Sequence, residues 1–184
     1  MNEVLLSLAR ASIKSSFRAG GVDTAGIEEE YPALAHMGAS FVTLTQNGQL
    51  RGCIGSIIAH RSLLEDVLHN ARAAAFNDPR FKPLEEEELS RTKIEVSVLT
   101  PPKIVEYDDV NDLRNKIRVG IDGVILKEGY HQATFLPQVW EELNDFDLFF
   151  AHLCQKAGLD MNCFQSHPEI SVYQVQKVKE DEIL

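Results

Sequence analysis

The run FVTLTQNGQLRGCIGS, residues 41 to 56, constrains the fold more than any other stretch of this chain. Two segments suited to strands flank Asn47-Gly48, a pair that tolerates positive φ and so favours a two-residue hairpin turn. Counting back from the turn pairs Gln46 with Gln49, Thr45 with Leu50, Leu44 with Arg51, Thr43 with Gly52 and Val42 with Cys53. Side chains alternate along a strand, so Arg51 and Cys53 share a face in this register. A bulge at either glycine of the second strand shifts the pairing by one and moves the thiol to the other side.

Around this hairpin the pattern alternates between helix and strand. Residues 3 to 18 repeat apolar side chains at three- and four-residue intervals, diluted by Ser12, and Gly20-Gly21 ends the helix they predict. Residues 62 to 76 predict a second helix, with Ser62 as N-cap and Glu65 as its capping-box partner. Asn77-Asp78-Pro79 then closes a turn. KIEVSVL at 93 to 99 alternates as a strand, Pro101-Pro102 terminates it, and KIVEY begins another. A short helix near 110 to 117, a second hairpin around Glu128-Gly129, helical segments at PQVWEEL and 146 to 157, and a final strand ISVYQV complete the reading. Hairpins interspersed with helices predict an α+β fold, with a mixed, largely antiparallel sheet flanked by helices. No linker composition divides the chain, so residues 1–184 read as a single domain.

Composition narrows function. Twenty-eight acidic against 18 basic side chains give a formal charge of −10, and no Lys/Arg-rich block is present to neutralise a row of phosphates, which excludes generic nucleic-acid binding. The first residues lack the basic start and unbroken apolar run of a signal peptide, and no stretch approaches the ~20 apolar residues of a membrane span. A soluble, cytoplasmic protein without membrane contact is expected. Cys53, Cys154 and Cys163 make an odd count without a CxxC pair, which suits free thiols in a reducing compartment. His152, Cys154, Cys163 and His167 invite a zinc count, but residues 152 and 154 of one helix point about 200° apart; no metal is expected. No phosphate-loop, nucleophile-elbow or dinucleotide fingerprint occurs, and no cofactor is expected.

Six stretches in order along nearly the whole chain carry a family resemblance: LRGCIG at 50 to 55, AAFNDPRF at 74 to 81, IEVSVL at 94 to 99 with Pro101-Pro102 behind it, GIDGVIL at 120 to 126, TFLPQVW at 134 to 140 and KAGL at 156 to 159. Together they resemble the AmmeMemoRadiSam system protein A family, whose members contain the AMMECR domain. The resemblance implies an α+β fold with a larger and a smaller interlocked subdomain, and an association with Memo-like and radical SAM proteins. It implies no reaction. It does place suspicion of function on Arg51, Gly52, Cys53 and Gly55.

The chemistry of these residues leaves two readings open. Cys53 beside a cation, with glycines leaving room for a ligand, suits a nucleophile or substrate-holding thiol; a small apolar residue on a buried strand is the plainer account. Arg51 suits an anion-binding role or a structural ion pair, with Glu95 or Asp78 as its partner. Asp78 and Arg80 of NDPRF suit a scaffold that holds its own turn, or a polar loop lining a cleft beside the cysteine strand. The first hypothesis is therefore an enzyme with Cys53 and Glu95 as candidate catalytic groups and Arg51, Gly52, Gly55, Asp78 and Arg80 around a ligand. The second, which the lack of an assignable base for Cys53 favours, is a binding module that recognises a partner protein or small molecule through the same strand.

Overall fold

The Asn47-Gly48 hairpin forms, with φ of 51° and 76° at its two turn residues. In the computed structural model, which describes residues 2–18 and 20–180, it joins β1 (Met37–Gln46) to β2 (Gln49–Gly55). Next to the turn the register is the expected one, Gln46 opposite Gln49 and Thr45 opposite Leu50. It then slips by one residue, so that Leu44 faces Gly52, Thr43 faces Cys53 and Val42 faces Ile54. Arg51 is the extra residue of a bulge, which corrects the straight pairing of Leu44 with Arg51 and Val42 with Cys53. The cause is burial. Leu44 and Val42 are fully enclosed, and a straight ladder would set a guanidinium beside them on the core face; the bulge puts Gly52 and Ile54 there instead.

The helix α3 (Leu63–Phe76) explains why that position is glycine. A Cβ on Gly52 would stand 2.1 Å from the Ala74 carbonyl oxygen, so the strand and helix approach this closely because no side chain intervenes. Ser62 caps α3, its Oγ accepting the Glu65 N–H at 3.2 Å. Asp66, with no exposed surface, accepts from Ser40 N and Oγ at 2.7 Å each, from Ser56 Oγ at 2.7 Å and from Asn70 Nδ2 at 2.9 Å. Those donors offset the cost of burying a carboxylate and tie β1, the segment after β2 and α3 together.

The chain divides into two compact units. The larger runs to Leu99 and resumes at Gln176. Its sheet has the order β2-β1-β4-β9, with β4 (Lys93–Leu99) and β9 (Val175–Lys179), and the two-residue β3 (Arg61–Ser62) pairs with the start of β1. Beside α3 it contains α1 (Asn2–Ser15) and α2 (Ala25–Glu30). Ser12, which interrupts the apolar face of α1, is buried and donates to the Leu68 carbonyl at 2.7 Å.

The smaller unit, Thr100–Val175, has a sheet of order β5-β8-β6-β7 made from β5 (Lys103–Ile104), β6 (Gly123–Glu128), β7 (His131–Phe135) and β8 (Glu169–Tyr173). The helices α4 (Val110–Lys116) and α5 (Phe146–Lys156) complete it, and Trp140 stacks on Phe149 in its core. PQVWEEL is a 3-10 turn over Pro137–Glu141. The single strand expected over ISVYQV is two, β8 and β9, separated at Gln174, whose N–H goes to Thr100 Oγ1 at 2.8 Å and whose amide nitrogen goes to Asp122 at 2.7 Å.

Both units combine helices with antiparallel pairing in every described register, so the α+β expectation holds. Free thiols are not found throughout. Cys154 and Cys163 form a disulfide with Cα atoms 5.9 Å apart, and Cys53 is free. Among the described residues no helix is long and apolar enough to cross a membrane.

Candidate functional site

Three neighbouring strands set Cys53, Thr43 and Glu95 in one row. Thr43 of β1 is the register partner of Cys53 on β2 and of Glu95 on β4. Their sequence neighbours Gly52, Ile54, Val42, Leu44, Ile94 and Val96 turn toward the helices, so alternation sends the row to the opposite face of the sheet. The Cys53 Sγ lies 3.3 Å from Thr43 Oγ1. The Glu95 carboxylate is held from the other side, by Lys179 Nζ at 3.3 Å and Lys177 Nζ at 3.8 Å, with Ser97 Oγ donating at 3.5 Å.

This geometry separates the two candidate catalytic groups. Cys53 and Glu95 stand two strand spacings apart, roughly 10 Å between backbones, whereas a general base needs about 2.6–3.2 Å to the proton it removes. Thr43 lies between them, and its neutral hydroxyl is not a base.

Arg51 meets neither expected partner. Its Nε and Nη2 bind Glu88 at 3.1 and 2.9 Å, in the 3-10 turn Glu86–Arg91. The Arg51 guanidinium, with the Glu85 N–H and the Gln46 amide, holds the Glu88 carboxyl down at about 2 against the opposing effect of burial. Nη1 of Arg51 is enclosed and lacks a hydrogen-bond partner among the described residues.

Asp78 and Arg80 gather at the edge of the sheet. As the terminal strand, β2 has outward-facing backbone groups at Cys53, and the NDPRF turn answers both. Asp78 accepts the Cys53 N–H at 2.9 Å, and Arg80 Nη2 reaches the Cys53 carbonyl at 3.4 Å. Arg80 also grips Asp78 through Nε at 3.0 Å and Nη2 at 2.8 Å. That guanidinium, then the Cys53 N–H, keeps the Asp78 carboxyl far below the usual carboxylate range although burial opposes it. The turn thus covers an edge that would otherwise offer itself to another strand.

The two glycines face opposite ways. Gly52 abuts α3, as described, and a Cβ on Gly55 would stand 2.2 Å from the Phe41 ring on the other side. Atoms of the chain itself occupy the space beside both.

A family model, AMMECR1, matches residues 6–178. The chain belongs to the AMMECR1 family. It is 38% identical to a protein of Methanothermobacter thermautotrophicus over 94% of this chain and 89% of that one. It is 40% identical to a protein of Saccharolobus solfataricus over 89% and 74% of the two chains. The crystal structure of an uncharacterized protein from Pyrococcus horikoshii matches with a TM-score of 0.82 at 33% identity, covering 98% of this chain and 91% of that chain.

In this AMMECR1-family chain the candidate residues therefore fall into three groups. Arg51 joins Glu88; Asp78 and Arg80 join the backbone of Cys53; Cys53 and Glu95 flank Thr43 on the open row. Sequence reasoning missed Thr43, Glu88, Lys177 and Lys179. Thr43 escapes the local pattern because the bulge that places it opposite Cys53 depends on the enclosure of Leu44 and Val42. Glu88 is one of four consecutive glutamates, and nothing local distinguishes it from the other three.

Proposed function

We propose that this AMMECR1-family chain is a binding module, and that the sheet face carrying Cys53, Thr43, Glu95, Lys177 and Lys179 engages Memo-like and radical SAM proteins. The observation that supports this reading is how the charged groups are spent. Glu88 holds Arg51, Arg80 holds Asp78, and two lysines hold Glu95, so the candidate acid–base groups are engaged in pairs, whereas a row of mixed polar groups suits recognition. The partial exposure of Cys53 favours a second reading, a thiol nucleophile with Arg51 binding an anionic substrate group. Its difficulty is that the thiol's neighbour is a hydroxyl.

The two readings diverge in calorimetric titration of the purified chain with a purified Memo-like protein and, separately, a radical SAM protein. Binding to at least one, weakened about tenfold by Lys179→Glu but unchanged by Cys53→Ser and by Lys14→Glu on α1, supports the module. Absence of binding to both, or binding indifferent to Lys179→Glu, overturns it.

A further inference from the structure

In the unit Thr100–Val175, the first turns of α5, the start of α4 and the loop through residues 161–165 surround a pocket of about 540 Å3. It lies outside the sheet face discussed above and is independent of that reading. Its walls are mostly hydrocarbon: Phe146, Phe150 and Phe164, with Val110 and Met161. The rings form a continuous arc, Phe146 to Phe150 at 4.5 Å between centroids and Phe150 to Phe164 at 5.3 Å. The Cys154–Cys163 disulfide joins α5 to the 3-10 turn Cys163–Ser166 that carries Phe164, so the two sides of the pocket are covalently linked. A preformed, apolar volume of roughly 300–1,000 Å3 is the usual shape of a small-molecule site.

The charges around it select the ligand. Asp147 lines the pocket, and exposed carboxylates directly flank other lining residues in sequence: Asp109 beside Val110, Asp145 beside Phe146 and Asp160 beside Met161. Against these stands Arg114. Its Nη2 lies 2.7 Å from Asp147 Oδ1 and its guanidinium carbon 4.5 Å from the Phe146 ring centroid. Arg114, outside the lining itself, thus shows the two lining residues Asp147 and Phe146 holding a cation between them, with a carboxylate at one side and an aromatic face beneath. Arg114 is 40% exposed in its side chain and Asp147 69%, so parting them leaves both charges in water, where such pairs are worth little.

We infer that this pocket binds a small organic cation, an amine or quaternary ammonium attached to an aromatic or branched aliphatic body. The body lies among Phe150, Phe164 and Met161, and the cationic head takes Asp147 and the Phe146 face in place of Arg114. A neutral molecule of the same shape forgoes the carboxylate, and an anion meets the like charge of Asp147, the acidic side chain of the lining.

The test uses the full chain, titrated with 2-phenylethylammonium, 2-phenylethanol and phenylacetate while backbone amides are followed by NMR. The ammonium should shift amides of residues 146–151 and 161–165 saturably and bind about tenfold tighter than the alcohol, with phenylacetate weakest. Arg114→Gln should tighten the ammonium about threefold by removing its competitor, and Asp147→Asn should weaken it by a similar factor. Ala151→Trp, which fills the pocket from α5, should abolish binding while the helical circular dichroism persists. Equal affinity for ammonium and alcohol, weaker ammonium binding in Arg114→Gln, shifts confined to other residues, or no saturable shift at millimolar probe overturns the inference.

Discussion

The Arg51 guanidinium clasps the Glu88 carboxylate through two nitrogens, across 37 positions of sequence. Their side chains are only 14% and 15% exposed, and the pair anchors the β2 bulge to the 3-10 turn before β4. Removing one partner leaves the other charge enclosed, which costs about 3 kcal/mol. Arg51→Ala and Glu88→Ala should each lower the urea midpoint accordingly. A loss below about 1 kcal/mol, the range of a surface pair, would show that the clasp is not maintained in solution.

The same pair predicts a pH signature. The Glu88 carboxyl titrates at about 2 in the folded chain, against 4.5 ordinarily. A carboxyl lowered by folding stabilises the fold above its unfolded value and gives up that stability as pH falls through its folded value. The melting-temperature advantage of the wild type over Glu88→Gln should therefore be full at neutral pH and shrink between about pH 4.5 and 2. A gap that stays constant over this window contradicts the assignment.

Gly52→Ala should destabilise by about 3 kcal/mol, the upper end for overpacking, because the new methyl group meets a backbone carbonyl at 2.1 Å. Gly21→Ala, with nothing within 4 Å of its Cβ, should stay within about 0.5 kcal/mol of the wild type. Guanidinium denaturation of the two variants makes the comparison, and similar midpoints would mean that β2 and α3 are farther apart than described.

Asp78→Ala should leave the Cys53 N–H without its acceptor. Hydrogen exchange at that amide should accelerate relative to Val42 and Val96 in the strands alongside, and Arg80→Ala should produce a smaller change, since its contact with the Cys53 carbonyl is the longer one at 3.4 Å. Unchanged protection at Cys53 in Asp78→Ala would remove the edge-covering role from the NDPRF turn.

What was legible in the sequence was local. Asn47-Gly48 located its hairpin because the turn needs positive φ, and Ser62 located the start of α3 because its hydroxyl meets the helix's first free N–H groups. Register and partners depended on distant chain. The bulge at Arg51 follows from the enclosure of Leu44, which is known only once α3 lies beneath β1. The sequence offers Glu95 and Asp78 as alternative partners for Arg51, yet the lysines beside Glu95 come from β9, more than 80 residues downstream. Cys154 met Cys163 because Gly158, at φ 79°, turns the chain after α5, a reversal that spacing alone does not reveal.

The position of β9 has a consequence for synthesis. It lies beside β4, and Glu180, just beyond it, accepts from Arg10 and from the Ile94 N–H. In a nascent polypeptide leaving the ribosome the β4 edge of the first-made sheet lacks its neighbour until this late strand emerges, whereas Thr100–Val175 contains all four of its strands in one uninterrupted stretch. Since such units fold as wholes, the part translated second has its complete set of strands before the part translated first does.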